Sequence, residues 1–286
     1  MVDNRTKRTP TLMFDTSGLN AFLDDQASDA LVQGIKAGYR VRLCGSSADE
    51  LFATSGQTRR NKLLDLCCKL LAVGECTWPF NWIIEKQIAS FDHSGDFDWK
   101  SLDVKSAGYE EEISRRERLT VEVVEQQRIA LFEAKKQLAA LFDSERPVIE
   151  AFFAPGVRRP QDFHQFLGMA QGTFWNFARG HYNRAGGKSQ DDGALRRFVK
   201  ACPPFQAMLL AIMMFLYGRC VKKENVPGSY RAGRLDVLMA TYLPYCDILV
   251  TKDSKQEICL REIASEADID ASVLEYGRFR NVLVAP

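Results

Sequence analysis

Short apolar runs alternate with helical patterns near both ends of the chain, and this alternation stops in the middle. Residues 11–14, 39–43 and 247–251 have the apolar or alternating character of strands, and a segment with helical spacing of its apolar residues follows each one. From residue 79 to about residue 227 the sequence contains helical patterns only. Because strands that alternate with helices form parallel sheets, the two ends of the chain predict one such sheet.

We therefore predict an α/β fold with a three-layer core around a central parallel sheet. Residues 1–78 and 228–286 would form this core, and residues 79–227 would form a large all-helical insertion. The pattern further predicts a helix from Ser229 to about residue 245 and a last strand at residues 281–285. Ser47 with Glu50, and Ser254 with Glu257, have the spacing of capping boxes at helix starts.

The composition, with 46% hydrophobic and 26% charged residues, is that of a globular chain. It excludes a disordered tail, a collagen and a small disulfide scaffold. The net charge of +1 conceals an asymmetry, because residues 157–234 contain 13 Lys and Arg but only 4 Asp and Glu. This block carries +9 and the remainder −8, which indicates an anionic partner.

The cysteines and the apolar segments bear on the compartment. None of the 8 cysteines is spaced as CxxC, so the sequence favours neither a zinc finger nor a thioredoxin-like site. The first ten residues are polar and charged, and the most apolar stretch, residues 205–217, is too short to span a bilayer. We expect a cytoplasmic protein with reduced thiols and no membrane partner.

Four acids occur where the predicted sheet would gather them. Asp15 follows the first strand and Asp253 follows the strand at residues 247–251. Glu50 lies at a helix start, and Asp236 lies in the helix that precedes the strand at residues 247–251. The carboxyl ends of parallel strands form one edge, where open α/β folds bind ligands. Clustered carboxylates repel one another unless a hard cation such as Mg²⁺ or Mn²⁺ joins them, and such ions promote phosphodiester hydrolysis.

These residues resemble the PIN domain, a family of metal-dependent nucleases that act mostly on single-stranded RNA. The segments that carry the resemblance are Phe14-Asp15-Thr16-Ser17, Ala48-Asp49-Glu50-Leu51, Gly233-Arg234-Leu235-Asp236 with Ala240, and Asp247-Ile248-Leu249-Val250-Thr251-Lys252-Asp253. The resemblance covers roughly residues 10–78 and 228–286.

The resemblance implies a PIN-like core and a four-carboxylate site for Mg²⁺ or Mn²⁺. By motif, the metal-binding and catalytic residues would be Asp15, Glu50, Asp236 and Asp253. Thr16 and Thr251 would support them through their hydroxyl groups. The implied activity is an endoribonuclease whose products carry 5′-phosphate and 3′-hydroxyl ends.

Each acid also has a simpler structural interpretation. Glu50 could complete a capping box with Ser47, and Asp253 could cap the helix that begins at Ser254. Asp236 could be a solvated helix residue, and Asp15 could begin a turn. Two further acids are expected to be structural: Asp247 as a hydrogen-bonding residue at the strand start, and Asp49 facing solvent.

The basic block supports a nucleic-acid partner independently, since cations interleaved with aromatic residues are typical of single-strand binding. The candidates for phosphate contact are Arg231, Arg234, Arg179, Arg184 and Lys188. Phe163, Phe166, Phe174 and Phe177 recur at helical spacing, which favours a place in the core.

Two rival functions stay open at this point. One is a PIN-like module that binds nucleic acid or protein without cutting, and the other is a structure-specific DNA nuclease. RNA is the preferred nucleic acid, and a second copy of the chain or an inhibitor protein is a further open partner.

Overall fold

The computed structural model describes residues 8–94, 97–115, 119–151, 156, 159–188, 191–218 and 234–284. At residues 94, 138–139, 141–146, 149 and 234–235 it describes the backbone alone.

The five strands form one parallel sheet. They are β1 (Thr11–Phe14), β2 (Arg40–Leu43), β3 (Gly74–Cys76), β4 (Ile248–Thr251) and β5 (Ser272–Glu275), in the order β3-β2-β1-β4-β5. The chain leaves β1 towards β2 and β3, and later returns to place β4 on the other side of β1. The order therefore reverses between β1 and β4, and a crevice opens at such a switch point beyond the carboxyl ends of the strands.

Helices connect the strands at both ends of the chain, as the alternating pattern predicts. They are α1 (Thr16–Asp24), α2 (Ser28–Gly38), α3 (Gly45–Phe52), α4 (Gln57–Leu71), α13 (Ser254–Glu266) and α14 (Tyr276–Val284). The predicted α/β class with a central parallel sheet is confirmed.

Between β3 and β4 the described residues form helices. They are α5 (Phe80–Ser94), α6 (Ala107–Ser114), α7 (Val121–Ala151), α8 (Phe163–Met169), α9 (Gln171–Arg184), α10 (Asp192–Ala201), α11 (Pro203–Leu216) and α12 (Arg234–Leu238). Two short 3₁₀ helices add Trp99–Ser101 and Met239–Tyr245. An isolated antiparallel bridge joins Thr77 to Lys105. Apart from this single bridge, the described residues between residue 79 and β4 form no strand, as the helical patterns of the sequence predict.

Apolar residues cover both faces of the sheet, as a parallel sheet requires. On one face Met13 and Leu249 are buried in the same cluster as α11, which is apolar except at Gln206. On the other face Phe14 and Val250 are buried with residues of α1, α4 and α14. Helices from the middle of the chain thus share one hydrophobic core with one face of the sheet. The division of the chain at residues 78 and 228 stays a prediction.

Several local expectations were wrong. Residues 281–284 belong to α14, and the last strand is β5. The apolar run there fits either structure, and Tyr276 and Phe279 decide it, because both are buried at helical spacing. Ser47 is not a helix cap, since α3 begins at Gly45 after Cys44, whose sulfur accepts from the Ser47 N–H. The predicted helix at residues 229–245 lies partly outside the described residues, and its last turns are a 3₁₀ helix that contains Pro244.

In the part of the chain that the structure describes, no single helix has the length and apolarity needed to cross a membrane. Among the described residues, α10 and α11 pass the joint test of length and apolarity only when taken together, and the pair is bent by 99°. Helix α11 is buried in the hydrophobic core that also contains Met13 and Leu249 of the sheet.

Candidate functional site

Asp15 links the end of β1 to the start of α1. Its backbone N–H donates to the Val250 carbonyl of β4 at 3.1 Å, and its Oδ1 accepts from the Gly18 N–H at 2.6 Å. The helix can begin this close to β4 only because residue 18 is glycine, since a Cβ there would lie 2.6 Å from the Val250 carbonyl oxygen. Asp15 is therefore the N-cap of α1 at the switch point, where its simpler interpretation placed the start of a turn.

Two hydroxyl groups surround the Asp15 carboxylate. Ser17 Oγ lies 2.9 Å and Thr251 Oγ1 lies 3.0 Å from Asp15 Oδ2. Ser17 also accepts from the Lys252 N–H at 2.8 Å, which ties α1 to the residue after β4. The predicted support from Thr251 thus has a direct contact with Asp15. The second hydroxyl comes from Ser17 rather than from Thr16, whose hydroxyl turns to Glu50.

The Asp15 carboxyl is buried and loses its proton at a higher pH than a solvated aspartic acid does. Removal from water raises its pKa to about 6, against the lowering effect of the Gly18 N–H and the hydroxyls of Ser17 and Thr251. The negative charge of Asp236 raises the pKa further. Asp15 and Asp236, which are more than two hundred positions apart, are therefore close enough to repel each other in the fold.

Thr251 joins three of the predicted site segments. Its Oγ1 donates to Gln256 Oε1 at 2.6 Å or to Asp15, and it accepts from the Asp253 N–H at 3.0 Å. The Gln256 amide in turn donates to the Asp236 carbonyl at 2.9 Å. The chain Thr251–Gln256–Asp236 holds α12 against α13, and buried Gln256 is a site residue that the sequence did not reveal.

Asp253 is the N-cap of α13, as its simpler interpretation proposed. Its Oδ1 accepts from the backbone N–H groups of Lys255 at 2.8 Å and Gln256 at 3.3 Å. Its Oδ2 accepts no hydrogen bond from the residues that the structure describes, and the residue lines the cavity discussed below. Capping and ligand binding are therefore compatible, because they use different oxygens.

Glu50 does not complete a capping box with Ser47. Its Oε2 accepts from the Thr16 hydroxyl at 2.7 Å, and its Oε1 lies 3.4 Å from the Nζ of Lys135 on α7. Thr16 therefore orients Glu50 rather than Asp15.

Asp49 was expected to face solvent, and this is wrong. It is partly buried, accepts from the Tyr109 hydroxyl at 2.7 Å and lines the same cavity as Glu50. Burial raises the pKa of Asp49 to about 6, and the charges of Glu112 and Glu50 add to this effect. Asp247, in contrast, accepts from the Thr11 N–H at 2.6 Å at the start of β4, as expected.

The four predicted acids line one cavity of about 800 Å³ at the carboxyl edge of the sheet. Asp15 enters from β1, Glu50 from α3, Asp236 from α12 and Asp253 from the end of β4. Much of the remaining cavity wall comes from the middle of the chain. Its lining residues are Pro79, Phe80 and Asn81 at the start of α5, Gln127, Ala130, Leu131, Ala134 and Gln137 of α7, and His181 and Arg184 of α9.

His181 and Arg184 contribute an imidazole ring and a guanidinium group to this wall. The Nε2 of His181 is buried and has no hydrogen-bond partner in the structure. Burial and the neighbouring Arg184 lower the pKa of His181 to about 4, so the ring is neutral at pH 7. Arg184 is exposed, and its guanidinium makes no hydrogen bond or ion pair with a described residue.

The other predicted phosphate contacts differ from Arg184. Arg179 forms an ion pair with Asp192, and Lys188 donates its backbone N–H to Asp92. Neither lines the cavity. Arg234 is described by its backbone alone, at the start of α12, and Arg231 lies outside the described residues. The predicted core positions are confirmed, since Phe163, Phe166 and Phe177 are buried and Phe174 packs against the same cluster.

The carboxylate oxygens of the cavity bear on which divalent cation could bind there. Across the described residues, no three His, Cys, Asp or Glu side chains form a group that could hold a metal ion by themselves. Mg²⁺ and Mn²⁺ do not need three, because they bind through one or two carboxylates and keep several waters. The repulsion between Asp15 and Asp236 and the open Oδ2 of Asp253 fit such a water-rich ion.

The fold and the cavity define an α/β protein with an acidic crevice at the switch point of a parallel sheet. Comparison with protein-family models, with curated proteins and with solved structures finds no match. The cavity is therefore the feature of the molecule that bears most directly on its function.

Proposed function

We propose that the protein is a metal-dependent phosphodiesterase of the PIN type, an endoribonuclease that cuts single-stranded RNA in the acidic cavity. The single observation that carries the proposal is the meeting of Asp15, Glu50, Asp236 and Asp253, which come from four separate elements, in one cavity. Burial and the nearby charge of Asp236 both raise the pKa of Asp15, and a buried carboxyl with a raised pKa in a cavity is typical of a functional site.

The residues have distinct roles in this proposal. Asp15 and Asp236 would hold Mg²⁺ or Mn²⁺, with Asp253 Oδ2 and Glu50 as further oxygen ligands, directly or through water. When bound, the ion would supply a nucleophilic water at neutral pH and neutralise charge on the phosphate. Ser17 and Thr251 fix the Asp15 carboxylate, and Thr16 fixes Glu50. Such fixed ligands keep the geometry that the reaction needs.

Arg184 supports a phosphate ester as substrate. It lines the same cavity as the acids, its guanidinium forms no hydrogen bond or ion pair with a described residue, and guanidinium groups bind phosphate oxygens in pairs. Without a cation the acids would repel a phosphate. The presence of carboxylates and Arg184 in one cavity therefore favours a phosphate bound by both a metal ion and an arginine.

A second candidate function is a module that binds nucleic acid without cutting it. The contact between Lys135 and Glu50 favours this alternative, because a lysine already supplies positive charge to one of the four acids. Both candidates predict RNA binding, and only the first predicts turnover.

The test is cleavage of a labelled single-stranded RNA by the purified full chain with Mn²⁺. We expect the parent to cleave, and Asp15→Asn and Asp236→Asn each to lose at least about a hundredfold in rate, as removal of key catalytic electrostatics does. Asp270→Asn is the matched control, because Asp270 is exposed in the loop before β5. Flapped and single-stranded DNA run in parallel, to separate RNA from DNA substrates.

Equal cleavage by the parent and both site variants would contradict the proposal. Binding of RNA without cleavage in Mn²⁺ or Mg²⁺ would favour the binding module.

A further inference from the structure

Two tryptophan rings stack on each other at the start of α5. The ring centroids of Trp78 and Trp82 are 5.1 Å apart and the ring planes differ by 6°. Trp82 nevertheless keeps 49% of its surface exposed, which is unusual for the largest apolar side chain. One face of Trp82 is therefore covered by Trp78 while much of the ring stays open to solvent.

Trp78, on which Trp82 stacks, has contacts through both its backbone and its ring. Its backbone N–H donates to the Val104 carbonyl at 3.0 Å, and its backbone carbonyl accepts from the Tyr242 hydroxyl at 3.2 Å. Its side chain packs against the hydrophobic core, and the ammonium of Lys86, one turn after Trp82, lies 4.7 Å from the centre of its ring. Trp82 thus stacks on a residue that is itself packed into the fold, which lowers the cost of ordering the Trp82 ring for a ligand.

The tryptophan pair lies beside the acidic cavity. Pro79, Phe80 and Asn81, the three residues between the two tryptophans, all line the cavity. Tyr242, which bonds the Trp78 carbonyl, also lies 2.8 Å from the hydroxyl of cavity residue Ser46. A phosphate-linked polymer with one phosphate in the cavity could therefore reach Trp82 with the adjacent monomer.

We propose that Trp82 is a stacking platform for a nucleobase of single-stranded nucleic acid whose backbone enters the acidic cavity. The inference rests on the proposed function, and it names the part of the substrate that the cavity residues do not contact. A flat aromatic face beside a phosphate site is what sequence-tolerant single-strand binding uses.

The charges around the platform are balanced, because Glu85 and Lys86 are both exposed on the same helix. The contribution of Trp82 to binding should therefore depend on the ring and hardly on salt. Arg184 should behave in the opposite way, because contacts to phosphate release counterions and make affinity depend on salt.

The test measures binding of labelled oligouridine to the full chain in Ca²⁺, so that the acids have a hard divalent cation, and gel analysis checks that the oligomer stays intact. Trp82→Leu should weaken binding roughly 5- to 150-fold, the effect of losing one base–aromatic stack, while Trp82→Phe should retain most of the affinity. An abasic ribose-phosphate oligomer should bind the parent and Trp82→Leu equally. Val282→Ala, which trims an exposed apolar side chain on α14, is the matched control and should bind like the parent.

Equal affinity of Trp82→Leu and the parent for oligouridine would overturn the inference, and so would a parent that binds no single-stranded RNA. Dependence on Trp82 without cleavage in Mn²⁺ would keep the platform and reject the nuclease. If the parent cleaves RNA but Trp82→Leu binds it as tightly as the parent does, the nuclease is supported and the stacking platform is rejected.

Discussion

Lys135 and Glu50 are 85 positions apart in the sequence, yet the Lys135 Nζ lies 3.4 Å from the Glu50 Oε1. The contact connects the long helix α7 to one of the four acids at the sheet edge. About half of the Lys135 side chain and a quarter of the Glu50 side chain are exposed, so the pair contributes at most about 1 kcal/mol to stability. Its larger consequence is electrostatic, because it places an ammonium group where the proposal needs a metal ion.

Lys135→Gln should therefore increase the affinity for Mn²⁺. Removal of one partly screened positive charge beside Glu50 predicts a gain of about two- to fivefold, smaller at high salt. Titration calorimetry with Mn²⁺ on the full chain measures it. Lys136→Gln is the control, since the neighbouring Lys136 pairs with Glu133 on its own helix. Unchanged or weaker Mn²⁺ binding in Lys135→Gln would contradict this prediction.

The buried Asp15 carboxyl makes stability depend on pH. Its pKa is raised from 3.8 to about 6, so its stabilising contribution is present below pH 3.8 and is lost as the pH rises through about 6. Asn keeps the shape and the capping ability of Asp but carries no charge. Asp15→Asn should therefore match the parent near pH 4 and exceed it by about 2–3 kcal/mol at pH 8 in EDTA.

Urea unfolding of both proteins across this pH range measures the difference. A variant that is less stable than the parent at pH 8 would show that burial of the charge is offset by bonds that Asn cannot make. Addition of Mn²⁺ at pH 8 should stabilise the parent and leave Asp15→Asn unchanged, because a ligand stabilises only the state that binds it.

Thr251 should be sensitive to loss of its hydroxyl. Thr251→Val keeps the volume but leaves Gln256 Oε1 and the Asp253 N–H without their partner in a buried site. The expected loss in unfolding free energy is about 2–4 kcal/mol. Thr251→Ser restores the hydroxyl and should recover most of that loss, which denaturant titration of the three proteins can resolve. If Thr251→Val is as stable as the parent, the hydrogen bonds of the hydroxyl contribute nothing measurable, and the prediction is contradicted.

Gly18 should tolerate no side chain. The Cβ of Gly18→Ala would lie 2.6 Å from the Val250 carbonyl oxygen, so α1 or β4 must shift, at a cost of about 1–3 kcal/mol. Gly34→Ala is the matched control within α2, because its nearest neighbour, a Leu283 methyl group, is 3.9 Å away. That change should instead stabilise the protein by about 0.5–1 kcal/mol. Thermal unfolding of both variants should show a lower stability for Gly18→Ala and a higher stability for Gly34→Ala. A Gly18→Ala variant as stable as the parent would contradict the close approach of residue 18 to the Val250 carbonyl.

The strands that the sequence revealed are those with an apolar or alternating pattern. β1, β2 and β4 were predicted on that basis, whereas β3 has only three residues, Gly74–Cys76, and offers no pattern. β5 was misplaced because the more apolar residues 281–284 lie in α14, while strand Ser272–Glu275 is half polar. Periodicity thus identifies the buried centre of the sheet better than its edges.

The acids of the cavity were predictable because the topology of a parallel sheet collects strand ends. The groups that support them were not. Ser17 reaches Asp15 by a local turn that any Asp-x-Ser could make, and Gln256 is recognisable only from its contact with the Asp236 carbonyl. Asp49 was misjudged because its partner, Tyr109, is 60 residues away on α6. Pairings between distant helices leave no trace in the spacing of residues.

The hydrogen bond from Thr251 to Asp15 spans 236 positions, and this separation determines when the cavity can form during synthesis and folding. During synthesis Asp15 emerges more than two hundred residues before its partner on β4. Contacts of such long range also form late in folding, because the intervening loop must close first. A growing polypeptide therefore carries no finished acidic pocket until β4 has been made, and any activity of that pocket begins only then.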